Sequence, residues 1–471
     1  LPVFSDLRMI VATMRRQQLA AGFPDAALRR DRLERVARLI DENHAALAAA
    51  AAADRGFGTD VTVPAGDLVT TLASLNHSAR HLADWMAQEP CGVDRGPVTY
   101  WPLGVIGVIA PWTHPVSLAL APLAGILAAG NVAMIKLSHH APRSSDLLAD
   151  LVGHYFGPCE LGVVLGDDAV GAAFAELPLA QLVFTGSARA ARSVAATAAA
   201  RLMPVIYAVG GKSPALVSAD ADPAAAARYI MAAKLRNGGQ SSRAVDHVLV
   251  ARSLMDAFVA HAREQGTRIL DESAAAGRLF PASVRQIHQA RLAALVADAQ
   301  NHGAQRICLG STHAAVMNAA AVPARGPGKP APRSRRARSD VIDPGALCQC
   351  PAEILLDVDD AMAIMQEEVF GPILPVLAVD DDTAAIERIG SFSGPWQRPA
   401  MAWYFGADRQ AQLRFAQCSP SATVLINPRV DGADPAGILA TGPEATIPGS
   451  NLWSGVAGFH RFSAARRLVF E

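Results

Sequence analysis

Apolar positions in the first part of the chain recur with a helical period. Leu33, Val36, Ala37, Leu39 and Ile40 are spaced among charges, and an Ala-rich run continues from Asp41-Glu42 to Ala53, so amphipathic helices are predicted from about Asp6 to Asp54. A further helix is predicted from about Gly66 to Met86, followed by an extended connection over Pro90–Pro102. The pattern then changes. Between Gly96 and Ile135 there is no Asp, Glu, Lys or Arg, and two β-rich apolar runs, Val105–Ala110 and Val132–Leu137, flank a Leu/Ala segment of helical character. A strand covered on both faces reads as an unbroken apolar run, and a parallel pair needs a crossover of this length, so a buried βαβ unit is predicted. Open parallel sheets bind ligands beyond their carboxyl edges, which places chemistry at Pro111-Trp112-Thr113-His114-Pro115.

The rival reading of Pro115–Ile135 is a membrane-spanning helix, since the segment is long enough. Pro115, Pro122, Gly125, Gly130 and Asn131 interrupt it, and the flanking runs are strand-like, so no membrane role is expected.

Helix and strand patterns keep alternating downstream. Helices are predicted at Ser144–Tyr155, Val170–Glu176 and Ala188–Arg201, and strands at Gly162–Gly166, Gln181–Phe184 and Met203–Val209, the last ending at Gly210-Gly211. The alternation then begins again with Ser213–Val217, Pro223–Arg236, Val245–Val250 and Ser253–Glu264. The fold class is therefore α/β, a doubly wound sheet followed by a second unit of similar construction. Between Val322 and Asp340 the texture turns Pro-, Gly- and Arg-rich, too polar to bury a core, and a flexible surface loop is expected there. Order resumes at Ile354–Val358 and Glu367–Leu377, and the chain closes with a short helix or strand over Phe462–Phe470.

Composition adds exclusions. With 471 residues the chain suggests two or three units, and a net charge of −1 gives no global field to favour nucleic acid. The six cysteines form no metal-binding or disulfide pattern; Cys348-Gln349-Cys350 is too tight for either, and no metal is expected. The N-terminal stretch breaks its apolar residues with Asp6, Arg8 and Arg15-Arg16, so a cytoplasmic location is expected.

Several motifs in order, in Pro102–Pro142, Leu182–Pro214, Asn237–Val250, Met365–Val376 and Gly455–Phe470, make the chain resemble the aldehyde dehydrogenase superfamily, nearest in texture to its coniferyl aldehyde dehydrogenase or class 3-like branch. The resemblance implies NAD(P)-dependent oxidation of a small aldehyde to a carboxylate, with NAD or NADP as cofactor, and a homodimer. It implies a dinucleotide-binding unit over 1–209, with 87–102 in an oligomerisation arm. A catalytic-type unit would cover 210–395 with the loop at 322–340, and 396–471 would return to the cofactor unit and a C-terminal arm.

By the same resemblance, Lys136 reaches the adenine ribose and its phosphate. His139 stands where a carboxylate normally takes the ribose hydroxyls, which tilts preference toward NADP. Gly186-Ser187 matches the phosphate-binding turn, although Ala191 replaces a usual glycine. Glu368 and Phe370 match the nicotinamide-ribose carboxylate and ring contact, and Trp112 also fits. Ile426-Asn427 matches the strand lining the catalytic side, whereas Gly437–Asn451 replaces the usual substrate-side segment.

The catalytic positions depart from the family. In Gly238-Gly239-Gln240-Ser241-Ser242-Arg243 the nucleophilic cysteine's place is taken by Ser242. The general-base position is Ala208, and the oxyanion asparagine is Thr113. A thiol with pKa near ~8.5 supplies thiolate at neutral pH; a hydroxyl does not without a base beside it. Losing one oxyanion donor commonly costs ~10²–10³ in rate. These replacements predict an impaired or catalytically silent member. The alternatives are an NAD(P)-binding partner or scaffold subunit, or a Ser242-dependent esterase or acyl transferase with Lys212 as the nearest candidate base.

Overall fold

The computed structural model describes residues 4–55, 62–87, 89–91, 95–275, 286–310, 352–392, 398–429 and 453–467. The segments 322–340, 348–350 and 437–451 singled out above lie outside them.

Four helices open the chain: α1 (Phe4–Ala21), α2 (Ala26–Glu42), α3 (His44–Arg55) and α4 (Thr62–Met86). The predicted stripe of α2 is its buried face, with Leu33, Val36, Ala37, Leu39 and Ile40 in the core. Asp25 caps this helix by accepting from the Leu28 amide. The described parts of Pro90–Pro102 are extended as expected, in β1 (Glu89–Cys91) and β2 (Arg95–Pro102), paired antiparallel.

The charge-free run gives β3 (Val105–Ile109) and β4 (Val132–Lys136), which are parallel and in register from Val105 opposite Val132 to Ile109 opposite Lys136. Two short helices make the crossover, α5 (Ser117–Leu120) and α6 (Leu123–Ala128), with Pro122 between them. Every residue of α6 is buried, each Leu or Ile contributing roughly 1.5–3 kcal/mol of apolar burial. Gly125 lets the C-terminal segment cross this helix: a Cβ there would sit 2.3 Å from the Trp453 carbonyl oxygen. Asn131, fully buried, is satisfied by accepting from Gly104 N and donating to Ile126 O and Phe462 O.

Further alternation yields α7 (Pro142–Tyr155), β5 (Leu161–Val164), α8 (Asp168–Ala175), β6 (Gln181–Gly186), α9 (Ala188–Ala199) and β7 (Val205–Val209). The five parallel strands lie in the order β5-β4-β3-β6-β7. The chain runs outward from β3 through β4 to β5, then restarts on the other side of β3 with β6. The carboxyl ends of β3 and β6 therefore flank the switch point, where open α/β sheets place ligands.

A second sheet is built from β8 (Pro214–Val217), β9 (His247–Ala251), β10 (Gln305–Cys308), β11 (Glu353–Leu356), β12 (Ile373–Val379), β13 (Met401–Phe405) and β14 (Thr423–Ile426), in the order β10-β11-β12-β9-β8-β13-β14. Helices α10 (Pro223–Leu235), α11 (Met255–Ala275) and α12 (Gln286–Asn301) accompany it. Residues from 396 onward were expected to return to the first unit. Instead β13 and β14 extend the second sheet, because the wholly buried run Met401–Phe405 pairs with β8. The return comes later, with the helix Gly455–Arg461 packed near α6 and then β15 (Ser463–Arg467), which pairs with β2. Among the described residues, no helix is long and apolar enough to cross a membrane.

Candidate active site

Ser242 lies on a loop whose shape comes from three successive left-handed residues, Asn237, Gly238 and Gly239 (φ 52°, 61° and 70°). The loop is closed on itself: Asn237 Nδ2 donates to Gln240 O at 2.9 Å, and Gln240 Nε2 donates back to Asn237 O at 3.1 Å. Gly239 has no room for a side chain, since a Cβ would meet the Gly371 carbonyl oxygen at 2.2 Å. That contact presses the loop onto the Glu367–Pro372 motif.

The end of β7 reaches the same place. Ala208 sits opposite Thr185 of β6, and five residues later Ser213 Oγ donates to the Ser242 carbonyl at 3.1 Å. Gly210 lies directly on Glu368, whose carboxylate would be 1.9 Å from a Cβ at that position. Burial, with the nearby Asp246 charge adding, pushes the Glu368 carboxyl up to about 8, against the pull of Arg291, Lys212 and Lys234. It is therefore mostly protonated at neutral pH.

Lys212 follows the glycine pair and is nearly inaccessible. Its ammonium donates to Asp246 Oδ2 at 2.5 Å, Ile364 O at 2.9 Å and Glu367 O at 3.1 Å. All three donors are engaged, so it offers no lone pair and is not placed to act as a base for Ser242. Burial alone would raise Asp246, but Lys212, His247 and Lys234 hold it well below the usual carboxylate range. Its Oδ1 accepts from Val369 N at 2.8 Å, fixing the Glu368 segment.

After β3 the chain turns sharply. His114 adopts φ 46°, and its Nδ1 is hydrogen-bonded to the Asp67 carboxylate on α4. Thr113, just before it, is buried. Asp67 also acts electrostatically on Arg243, the residue after Ser242, whose guanidinium burial pulls down to about 10. The Thr113 turn and the Ser242 loop are thus joined through α4.

Trp112 packs edge-to-face on Phe370 (centroids 6.3 Å apart) and on His288 of α12 (5.7 Å). The His288 ring Nε2 is 2.8 Å from Phe370 O, and Arg291 donates to Glu367, to Glu368 O and to Val369 O. His114 lies in the stretch where chemistry was expected, whereas His288, Arg291 and Asp67 escaped sequence reasoning as parts of the site; the available signal was His288 and Arg291 at a helical spacing of three.

The remaining candidates lie along the first sheet. Ser187 caps α9 by accepting from Ala190 N at 3.2 Å, so the start of this twelve-residue helix faces the carboxyl end of β6. Lys136, at the end of β4, donates to Leu137 O and Gly166 O, both at 2.7 Å. Burial lowers its pKa, with Asp168 and Asp167 opposing. His139 is exposed three residues beyond. The structure thus gathers Ser242, Ala208, Thr113, Glu368, Phe370 and Trp112 at one end of the first sheet, with Gly186 and Ser187 at the switch point and Lys136 and His139 beside β5.

Fold and site together define an α/β protein whose candidate site lies between its two larger open sheets. Comparison with known proteins makes the class specific. The family model described as "Aldehyde dehydrogenase family" matches residues 5–323 and 343–442, and the chain belongs to that family. It is 33% identical over 470 residues to the coniferyl aldehyde dehydrogenase of Pseudomonas sp. strain HR199, covering 97% of this chain and 89% of that one. Identity to the rat dimeric NADP-preferring aldehyde dehydrogenase is 28%, covering 84% and 80%. Among solved structures, Staphylococcus aureus AldH superposes with a TM-score of 0.78 at 23% identity, covering 100% of this chain and 94% of that one. An indole-3-acetaldehyde dehydrogenase in complex with NAD+ gives 0.76 at 23%, covering 99% and 88%.

Proposed function

We propose that this chain binds NAD(P) in the family manner but is impaired in, or has lost, the family reaction, NAD(P)-dependent oxidation of an aldehyde to a carboxylate. The observation that carries this reading is the chemistry around Ser242. The residue that β7 supplies at this end of the sheet is Ala208, and the carboxyl packed at Gly210 is Glu368, held mostly as the acid. Lys212 is fully engaged elsewhere and Glu368 is held mostly as the acid, so neither is ready to ionise the serine hydroxyl or to activate water. Thr113 offers one short hydroxyl donor where a longer amide would reach the developing oxyanion.

The residues present fit a dinucleotide. The N-terminus of α9 presents backbone amides where a pyrophosphate would lie, and the buried Thr185 hydroxyl beside it has no hydrogen-bond partner among the described residues. Lys136 would supply a cation toward the adenosine end, while Trp112 and Phe370 would flank the nicotinamide end. When bound, such a cofactor accepts a hydride from the substrate. His139 in place of a carboxylate removes repulsion from a 2′-phosphate, which favours NADP over NAD. Self-association through the β1-β2-β15 sheet and a cytoplasmic setting belong to the same reading. Titration of the purified chain with NADP and NAD, coupled to an aldehyde panel, tests it: binding without turnover is expected, and brisk reduction of the cofactor by any aldehyde refutes impairment.

A second reading is favoured by the Asp67–His114 pair. A carboxylate hydrogen-bonded to one nitrogen of an imidazole, here next to Thr113 in the chain, is the acid–base pair a serine hydrolase uses, and Lys212 is unfit for that part. Activity on activated esters that survives Ser242→Ala would exclude it.

A further inference from the structure

We infer that His139, His140 and Asp168 form a binding site for a divalent transition-metal ion of the zinc type, beyond the carboxyl end of β4 in the first sheet. Consecutive side chains diverge along a strand, so two adjacent imidazoles meet only if the backbone turns. It does so here. β4 ends at Lys136, Ser138 Oγ accepts from His140 N at 3.3 Å, and Ser138 O accepts from Ser145 Oγ at 2.8 Å. The turn brings the two rings to a centroid separation of 3.5 Å.

Asp168, the first residue of α8, faces both. Its Oδ1 lies 3.9 Å from His139 Nδ1 and 4.0 Å from His140 Nε2, and one ligand atom from each residue falls within 4.8 Å of the others. Three donors this close need only a small contraction to surround one ion. The support is firm on both sides. Asp167 accepts from Val170 N and caps α8, and the Lys136 ammonium holds Gly166 O in the connection leading to it.

The donor set selects the metal. Two imidazole nitrogens and one carboxylate oxygen suit Zn²⁺, Co²⁺ or Ni²⁺, whereas Mg²⁺ and Ca²⁺ require mostly oxygen ligands. Three protein ligands leave a coordination position for water, and Asp168 is largely exposed, which gives the ion a way in. The inference is independent of the dinucleotide reading, because the ion can be titrated in the absence of any dinucleotide.

The test is titration of the full chain with Zn²⁺ by calorimetry, with Co²⁺ absorption reporting ligand geometry. One high-affinity equivalent is expected. His139→Gln, His140→Gln and Asp168→Asn should each weaken it by at least ~10-fold, the least that a supporting change around such a site costs. His77 and His81 are neighbours on α4 with rings 4.5 Å apart, so the variant His77→Gln/His81→Gln is the control and should bind as the parent does. Near-unchanged circular dichroism would show that the variants are folded. No binding by the parent, binding that persists in the three variants, or loss confined to the α4 variant would each overturn the inference.

Discussion

Replacing Glu368 with Gln keeps the shape of the side chain and removes its titration. In the folded chain its carboxyl is pushed from 4.5 to about 8, burial being the main cause and Asp246 the next. At ~1.4 kcal/mol per tenfold change in equilibrium, the cost of ionising it is bounded near ~5 kcal/mol, and its partial exposure reduces that to roughly 2 kcal/mol. The sign follows from proton linkage. An acid whose folded pKa is raised costs nothing below about 4.5, and stability falls as pH rises from there to about 8. Thermal unfolding of the parent should therefore weaken across pH 5–8 relative to Glu368→Gln, by about 1–2 °C per kcal/mol for a chain of this size. Lys234 acts in a separate window: pushed down to about 8, chiefly by burial, it costs stability while protonated, and that cost is relieved as pH rises from 8 toward 10.5. Melting temperatures of parent and variant that run parallel from pH 5 to 8 would refute the account of Glu368 as a suppressed carboxylate.

Other outcomes are as specific. Gly239→Ala combines a left-handed backbone (φ 70°) with a Cβ 2.2 Å from Gly371 O; it should cost ~2–3 kcal/mol, read by thermal denaturation, and lower dinucleotide affinity as the loop shifts off the Glu368 segment. Glu160 bridges to Arg35 at 2.8 Å and Arg32 at 3.2 Å, and the Arg35 hydrogen bond above all holds its pKa at about 2. Its stabilisation is present above 4.5 and lost as pH falls toward 2, so Glu160→Gln should cost ~1–2 kcal/mol at pH 7 and show a shallower acid transition. Lys136→Met should weaken NADP binding at least ~10-fold in a fluorescence titration, the loss expected from removing one charge-assisted contact.

The part of the fold most legible in the sequence was the part whose local pattern was strongest. The charge-free run, once Pro115, Pro122, Gly125, Gly130 and Asn131 rule against a membrane span, reads as a buried parallel pair, and β3 and β4 appear within a residue of their expected limits. Its crossover was harder, because one Leu/Ala segment reads the same whether Pro122 splits it or not. The second sheet was misjudged after residue 396 because β13 pairs with β8 across almost two hundred residues, and local pattern carries no record of that partner. The site divides the same way. Ser242, Ala208 and Thr113 stand in motifs and are visible as residue types. The protonated state of Glu368, the fully engaged Lys212 and the Asp67–His114 pair depend on what folding places alongside them. Left-handed turns at His114 and Phe370 are likewise invisible to periodicity, since neither is a glycine.

The most direct test is steady-state formation of NAD(P)H with an aldehyde panel, using the parent chain and the variant Ser242→Cys/Ala208→Glu/Thr113→Asn. The account predicts dinucleotide binding by both, negligible turnover by the parent and measurable acid production by the variant. Turnover by the parent equal to that of the variant would contradict it.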